Sequence, residues 1–138
     1  LSVDTRVLDL GADIGQRITT VRGVELVDVL YPTGGVRGSL FTNRQRVVLD
    51  DHPAWIPTLA AMLAMKWLAM FSPSRGGRKQ IQDKADFVQM IEVHPTVDIR
   101  AVARLVAKTS PLLGKQLIYD MTEYKKSGDV RLFGGSDL

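Results

Sequence analysis

The sequence predicts an α+β fold, with a small, mostly antiparallel sheet on the N-terminal side followed by a C-terminal bundle of about four helices. A change of texture along the chain carries that reading. From about Gln16 to Leu49 the residues are often β-branched and are broken by glycine, as in "QRITTVRGVELVDVLYPTGGVRGSLF", the pattern of short strands joined by turns. From about Pro53 onward Ala, Leu and Met dominate and apolar residues recur at helical spacing. At 138 residues, with 45% hydrophobic and 24% charged, the chain has the length and balance of a single domain with one core. It divides into a sheet half (1–52), a helical half (53–127) and a tail (128–138).

Taken in order, "TRVLDLGADIG" reads as a short helix ending at Gly11. Three or four strands follow in a meander, with turns at Arg22-Gly23, Thr33-Gly34-Gly35 and Asn43-Arg44, and the glycine-flanked Ser39 marks a hairpin turn. Pro57 suits the first turn of a helix over "PTLAAMLAMKWLAM", where a missing amide hydrogen removes no bond. After the break "SPSRGGR", Ile81, Ala85, Val88 and Ile91 form the apolar stripe of a second helix that stops before His94-Pro95. A third helix fits "TVDIRAVARLVAKTS", with Thr96 as its cap and Ile99, Val102, Ala103 and Val106 on one face. A fourth runs from Pro111 to about Lys126, and Val130 to Phe133 in the tail is strand-like.

Composition excludes several classes. Without cysteine there is neither a disulfide framework nor a thiolate metal site, and without a signal-like N-terminus a cytoplasmic protein is expected. The most apolar run, Ile56 to Phe71, is interrupted by Pro57 and Lys66 and is too short to span a bilayer, so no membrane partner is expected. The net charge of +3 is scattered, which permits binding to a polyanion without demanding it. His52 and His94 each precede a proline and have no second histidine at metal-ligand spacing. No dinucleotide-binding glycine motif, Walker loop or nucleophile elbow occurs.

Four charged residues stand out. Lys66 is the lone charge of its apolar helix, either snorkelling along an exposed strip or aimed at a carboxylate or phosphate. Asp83 and Asp86 lie one turn apart, on the side away from the stripe Ile81, Ala85, Val88 and Ile91; they form a solvated face with Lys79 and Lys84 or belong to a site. Asp28 interrupts the apolar strand "VELVDVLYP" and by alternation shares a face with Val24, Leu26 and Leu30, with Glu25 on the opposite face.

A "VDVLYP" strand, a hairpin region, a lysine-bearing helix "LAAMLAMKWLAM", a basic loop "SPSRGGRK" and a helix "QDKADFVQMI" follow one another from about Gly23 to Ile91. This order resembles the rear half of a nucleotidyltransferase of the DNA polymerase β-like superfamily, in its small bacterial, toxin-type branch. The resemblance implies Mg²⁺-dependent transfer of a nucleotide from an NTP to an acceptor, an RNA or a protein, with an antitoxin or a second copy as a further partner. It implies that Asp28 and Asp4 hold the metal and that Asp28 orients the attacking hydroxyl. Lys66 would approach the nucleotide phosphates, while Asp83, with Asp86 beside it, orients Lys66 or the nucleotide. The superfamily's front signature, a Gly-Ser turn and an Asp-x-Asp strand, does not occur in "LSVDTRVLDLG". A front segment lying outside the sequence and an incomplete, inactive relative are both open readings.

Two alternatives stand beside this one. A non-catalytic interaction module of the same fold would use the Met- and Trp-rich surface around Met62 to Met70. A small nucleic-acid-binding domain would gather Arg75, Arg78, Lys79, Lys125 and Lys126 on one face.

Overall fold

The computed structural model describes residues 4–9, 15–31, 35–129 and 133, and the architecture is α+β with the sheet before the helices. Strands β1 (Thr5–Asp9), β2 (Gly15–Thr20) and β3 (Glu25–Leu30) form an antiparallel meander in the order β1-β2-β3. Thr5–Asp9 is therefore a strand and not the helix expected there, running from Thr5 opposite Thr20 to Asp9 opposite Gln16. So short a segment gains little from helix nucleation, whereas its Thr and Val suit pairing with β2. Gly23 makes the turn to β3 at φ +83°, a conformation that favours glycine, and its N–H donates to Thr20 O at 2.9 Å.

The pairing of β2 with β3 slips between Ile18 and Thr19: Ile18 faces Val27 but Thr19 faces Glu25, leaving Leu26 as an extra residue. An inserted residue inverts the alternation of side chains beyond it. Glu25 and Asp28, assigned to opposite faces by simple alternation, thus come to the same side of the sheet.

Helix α1 (Gly35–Thr42) replaces the hairpin turn expected at Ser39. It buries Leu40 against the helical core and ends where the backbone and side-chain N–H groups of Asn43 both donate to Ser39 O at 2.8 Å. Strands β4 (Arg44–Leu49) and β5 (His52–Pro57) then form a separate two-stranded hairpin. Its turn residues Asp50 and Asp51 have φ +48° and +63°, the left-handed pair that a tight hairpin needs and that Asp tolerates. The change from strand to helix falls at Thr58, beyond both Pro53 and Pro57. Thr58 caps helix α2 (Leu59–Met70) by accepting from Ala61 N.

Helices α3 (Gly77–Val93), α4 (Ile99–Ala107) and α5 (Pro111–Ser127) complete the bundle. Asp98, not Thr96, caps α4, accepting from the amides of Arg100 and Ala101 at 2.9 and 3.2 Å. Ser110 caps α5 ahead of Pro111, and Gly128 closes it at φ +68°. The core centres on Trp67, whose ring lies 5.1 Å from Phe71, 5.3 Å from Phe87 and 6.2 Å from Phe133. Its buried indole N–H donates to Leu113 O at 3.0 Å, tying α2 to α5. The expected face of α4 is the buried one, with Val102, Ala103 and Val106 in the core. In the tail, the buried Phe133 packs on Phe87 and Tyr124, while Val130 to Leu132 lie outside the described residues. Among the described residues no helix is long and apolar enough to cross a membrane.

Gly114 is where α5 comes closest to α4: a Cβ built on it would lie 3.0 Å from both Ala103 O and Ala107 Cβ. We expect Gly114→Ala to destabilise the fold by about 1–3 kcal/mol through overpacking, despite alanine's higher helix propensity. A lowered urea midpoint at unchanged m-value would show it, and an unchanged or raised midpoint would refute it.

Candidate functional site

Helix α3 buries only the C-terminal half of the stripe expected of it: Ile91 is in the core and Val88 packs against it. Ile81 is 72% exposed and Ala85 is also exposed, whereas Asp83 is 1% exposed and shares the inner face with Phe87 and Ile91. Spacing of i, i+4 and i+8 puts those residues in one row. The row is held against α2 because a carboxylate sits in it with cations waiting on both sides.

One cation is Lys66, whose ammonium donates to Asp83 Oδ1 at 3.1 Å and to Asp86 Oδ2 at 2.6 Å. The other is Arg75, in the loop before α3, whose Nε and Nη2 donate to the two oxygens of Asp83, the latter at 3.2 Å. Gln82 donates to the remaining oxygen of Asp86 at 2.7 Å. Burial works to lower the pKa of Lys66, but the hydrogen bonds to Asp86 and Asp83 and their charges outweigh it and raise the pKa above the ordinary lysine value. The hydrogen bond from Lys66, then that from Gln82, holds the Asp86 carboxyl below its ordinary range against a smaller effect of burial.

This network seats the basic loop. Gln80 Nε2 donates to Ser72 O at 3.0 Å, Ser72 and Ser74 share a hydrogen bond at 3.0 Å, and Arg75 is anchored on Asp83. Between Ser72 and Lys79 lies an open groove of about 510 Å³, lined by Arg75, Arg78 and Lys79 and by the glycine pair that starts α3. Gly76 caps that helix without a side-chain oxygen, so the first-turn amides of α3 have no side-chain acceptor. Lys66 does not line this groove. It opens instead onto a cleft of about 350 Å³ farther along α3, with Asp86, Met90 and His94. The buried carboxylate of Asp83 joins the two.

The sheet holds the other candidate residues. Arg17 grips Asp28 with Nε and Nη2, at 2.7 and 2.9 Å, and its Nη1 reaches Glu25, which the register slip brings to the same face. The hydrogen bond from Arg17 is the main reason that the Asp28 carboxyl lies below its ordinary range; burial opposes it slightly, and the charge of Lys79, in the first turn of α3, adds to it. Asp28 is thus not part of the Lys66–Asp83–Asp86 network, and Lys79 is its electrostatic link to the basic loop.

Asp4 is exposed just before β1. The register puts it two strands from Asp28 and four residues along from the point opposite it, a separation of about 16 Å at ordinary strand geometry. The two carboxylates do not meet, and Arg17 takes both oxygens of Asp28. Among the described residues no three His, Asp or Glu side chains gather at metal-ligand distances. The arrangement does not fit the Mg²⁺ set that the resemblance implies, and no step is assigned to that ion.

The sequence matches no family model. It has no match among curated proteins either.

Two partners escaped the sequence reading. Arg75, eight residues before Asp83, had no spacing that predicted a pair, and Arg17 could be found only from the strand register.

The roles within the network differ, and so do the expected costs. Removing the charge of the buried carboxylate in Asp83→Asn should cost about 3 kcal/mol, since two cations lose their common partner. Asp86→Asn, at a half-buried site, should cost about 1 kcal/mol. The Asp86 contribution is complete above the ordinary carboxylate pKa and lost as pH falls through the depressed folded value. That of Lys66 is complete below the ordinary lysine pKa and lost as pH rises through the raised one. The stability gap between wild type and Asp86→Asn should therefore be flat near neutrality and close below about pH 4. Urea unfolding across pH tests both expectations; equal costs for the two variants would show that Asp83 is not the anchor.

Proposed function

We propose that this chain is a nucleotidyltransferase-like protein that receives the phosphates of a nucleoside triphosphate in the groove of residues 72–79. The observation that carries the proposal is the fixed basic loop: Arg75 held on Asp83, with Arg78 and Lys79 beside it along a groove at the start of α3. Guanidinium, ammonium and first-turn amides are the groups that recognise phosphate oxygens, and nucleotidyl transfer depends chiefly on positioning and charge stabilisation. In the transfer, an acceptor hydroxyl would attack the α-phosphorus and release its proton to water, the new P–O bond forming as the bond to the departing pyrophosphate breaks. Lys66 would act at one remove, by fixing Asp83 and through it Arg75. Asp28, gripped by Arg17 and sensed by Lys79, is the carboxylate the reading assigns to the acceptor side.

Calorimetry with each of the four common nucleoside triphosphates, with and without Mg²⁺, tests this on the whole chain. Binding should weaken about tenfold or more in the double variant Arg78→Gln, Lys79→Gln, whose side chains make no ion pair among the described residues. It should persist in Asp28→Asn, which would lose transfer alone. A folded protein that gives no heat with any of them sinks the reading.

A second reading, the interaction module, loses the surface expected around Met62 to Met70, where Leu63, Trp67 and Met70 are core residues, but another observation favours it. Val7, Ile18 and Val27 sit side by side across the sheet, and Val7 and Val27 are more than half exposed. Sedimentation of the wild type and of Val27→Asp would reveal self-association through that face; a monomer in both cases counts against a second copy there.

A further inference from the structure

The β4–β5 hairpin carries a second basic surface, of a different kind from the loop. In its register Arg44 lies opposite Pro57 and Arg46 opposite Trp55, and directly opposite residues project to the same side, so both arginines share one face with the indole. The Arg44 guanidinium lies 4.9 Å from the centre of the Trp55 ring. Even so covered, Trp55 is 61% exposed. Neither arginine pairs with a carboxylate among the described residues. Among the described residues this leaves a large aromatic surface open to water beside two guanidinium groups without a carboxylate partner.

Beside it lies a cleft of about 180 Å³, lined by Leu40, Phe41, Arg44, Trp55, Ile56 and Pro57, with Phe41 itself 41% exposed. That volume is well below the roughly 300–1,000 Å³ of a cavity for a drug-sized ligand. It is of a size for one planar ring, laid against an aromatic side chain of its wall. The arginines give the site its preference for a polyanion, and the open rings give it a preference for one whose bases are unstacked and free to be stacked on. The acidic turn, Asp50 and Asp51, bounds the patch at the tip of the hairpin, so a polyanion would lie toward the α1 end.

We infer that this face of the hairpin binds single-stranded nucleic acid, stacking a base on Trp55 while Arg44 and Arg46 take adjacent phosphates. The inference does not depend on a nucleotide site at residues 72–79, and its test uses no nucleoside triphosphate.

The chain has an internal reporter. Of its two tryptophans, Trp67 is fully buried and Trp55 is exposed, so a quencher bound from solution acts on Trp55. Titration with oligouridylate of about ten nucleotides at low salt should give saturable quenching of tryptophan emission. In parallel, the anisotropy of the labelled strand should show about tenfold or greater loss of affinity in Trp55→Ala, with substantial recovery in Trp55→Phe, which keeps a ring to stack on. Arg44→Gln and Arg46→Gln should each weaken binding and flatten a salt slope whose share from two phosphates is about −1.4 in log–log form. The double variant Arg78→Gln, Lys79→Gln should bind as the wild type does. Oligothymidylate in a second arm separates the sources: equal binding supports the site with contacts to base and phosphate alone, and weaker binding supports it with a contact to the ribose hydroxyl.

Circular dichroism confirms that each variant is folded. Three results would overturn the inference: no quenching by either strand, binding that Trp55→Ala leaves unchanged, or equal competition by heparin and by duplex, which marks a polyanion patch without stacking. Conversion of a dimer to a monomer by Trp55→Ala, without quenching by oligonucleotide, would reassign the face to self-association.

Discussion

A carboxylate cannot be taken out of water into a packed core unless cations come with it, and in this protein that requirement falls on Asp83. It lies in the same row as Phe87 and Ile91, against the helix that carries Trp67. Its neutralisation fixes Lys66 on α2 and Arg75 in the preceding loop relative to α3. One buried charge thereby sets how α3 packs on α2 and how the glycine-rich segment between them is held. The loop could otherwise move freely, because glycine at 76 and 77 gives it no side chains to pack.

The division between sheet and bundle follows from the same economy of apolar groups. The buried hydrophobic residues described are almost all helical, with Phe133 of the tail added to the aromatic cluster. The three-stranded sheet contributes Thr19 to the interior and leaves most of its valines partly in water. It is held together by strand pairing and, on the face bearing Thr19, by Arg17 bound to Asp28 and Glu25. That ion pair is exposed and adds little to stability. Its effect is to hold Asp28 in one position, within the field of Lys79.

The four helices of the bundle were legible because their signals are local, such as an apolar run rich in Ala, Leu and Met or Pro111 at a first turn, even where the ends at Pro57 and Thr96 were misplaced. Lys66 was open between snorkelling and aiming at a carboxylate or phosphate, and its pairing with Asp83 and Asp86 comes from another helix that the α2 sequence does not contain. The reading of α3 failed in the helix's first half, at Ile81 and Ala85, for a physical reason. Periodicity ranks faces by hydrophobicity, and Ile81 and Ala85 outrank Asp83 until the cations of other elements are counted. Alternation failed in β3 in a similar way, because the extra residue at Leu26 is invisible without its partner strand. Ser39 and the segment 5–9 went wrong where glycine and short length leave local preference weak and tertiary contact decides.

The two basic surfaces show what register adds to composition. At residues 72–79 the cations are neighbours in sequence and the glycines between them announce a loop, so a basic loop could be anticipated there. Arg44, Arg46 and Trp55 are scattered across two strands, and read as a string they are two charges and an isolated aromatic. Only the antiparallel pairing around the Asp50–Asp51 turn brings them to one face. The loop offers guanidinium and ammonium groups with backbone amides and no exposed ring, a surface matched to phosphate alone. The hairpin offers guanidinium with an open indole, a surface matched to phosphate and base together. Because the groups differ, the two proposed ligands make different demands on them, and variants of one surface can be tested without touching the other.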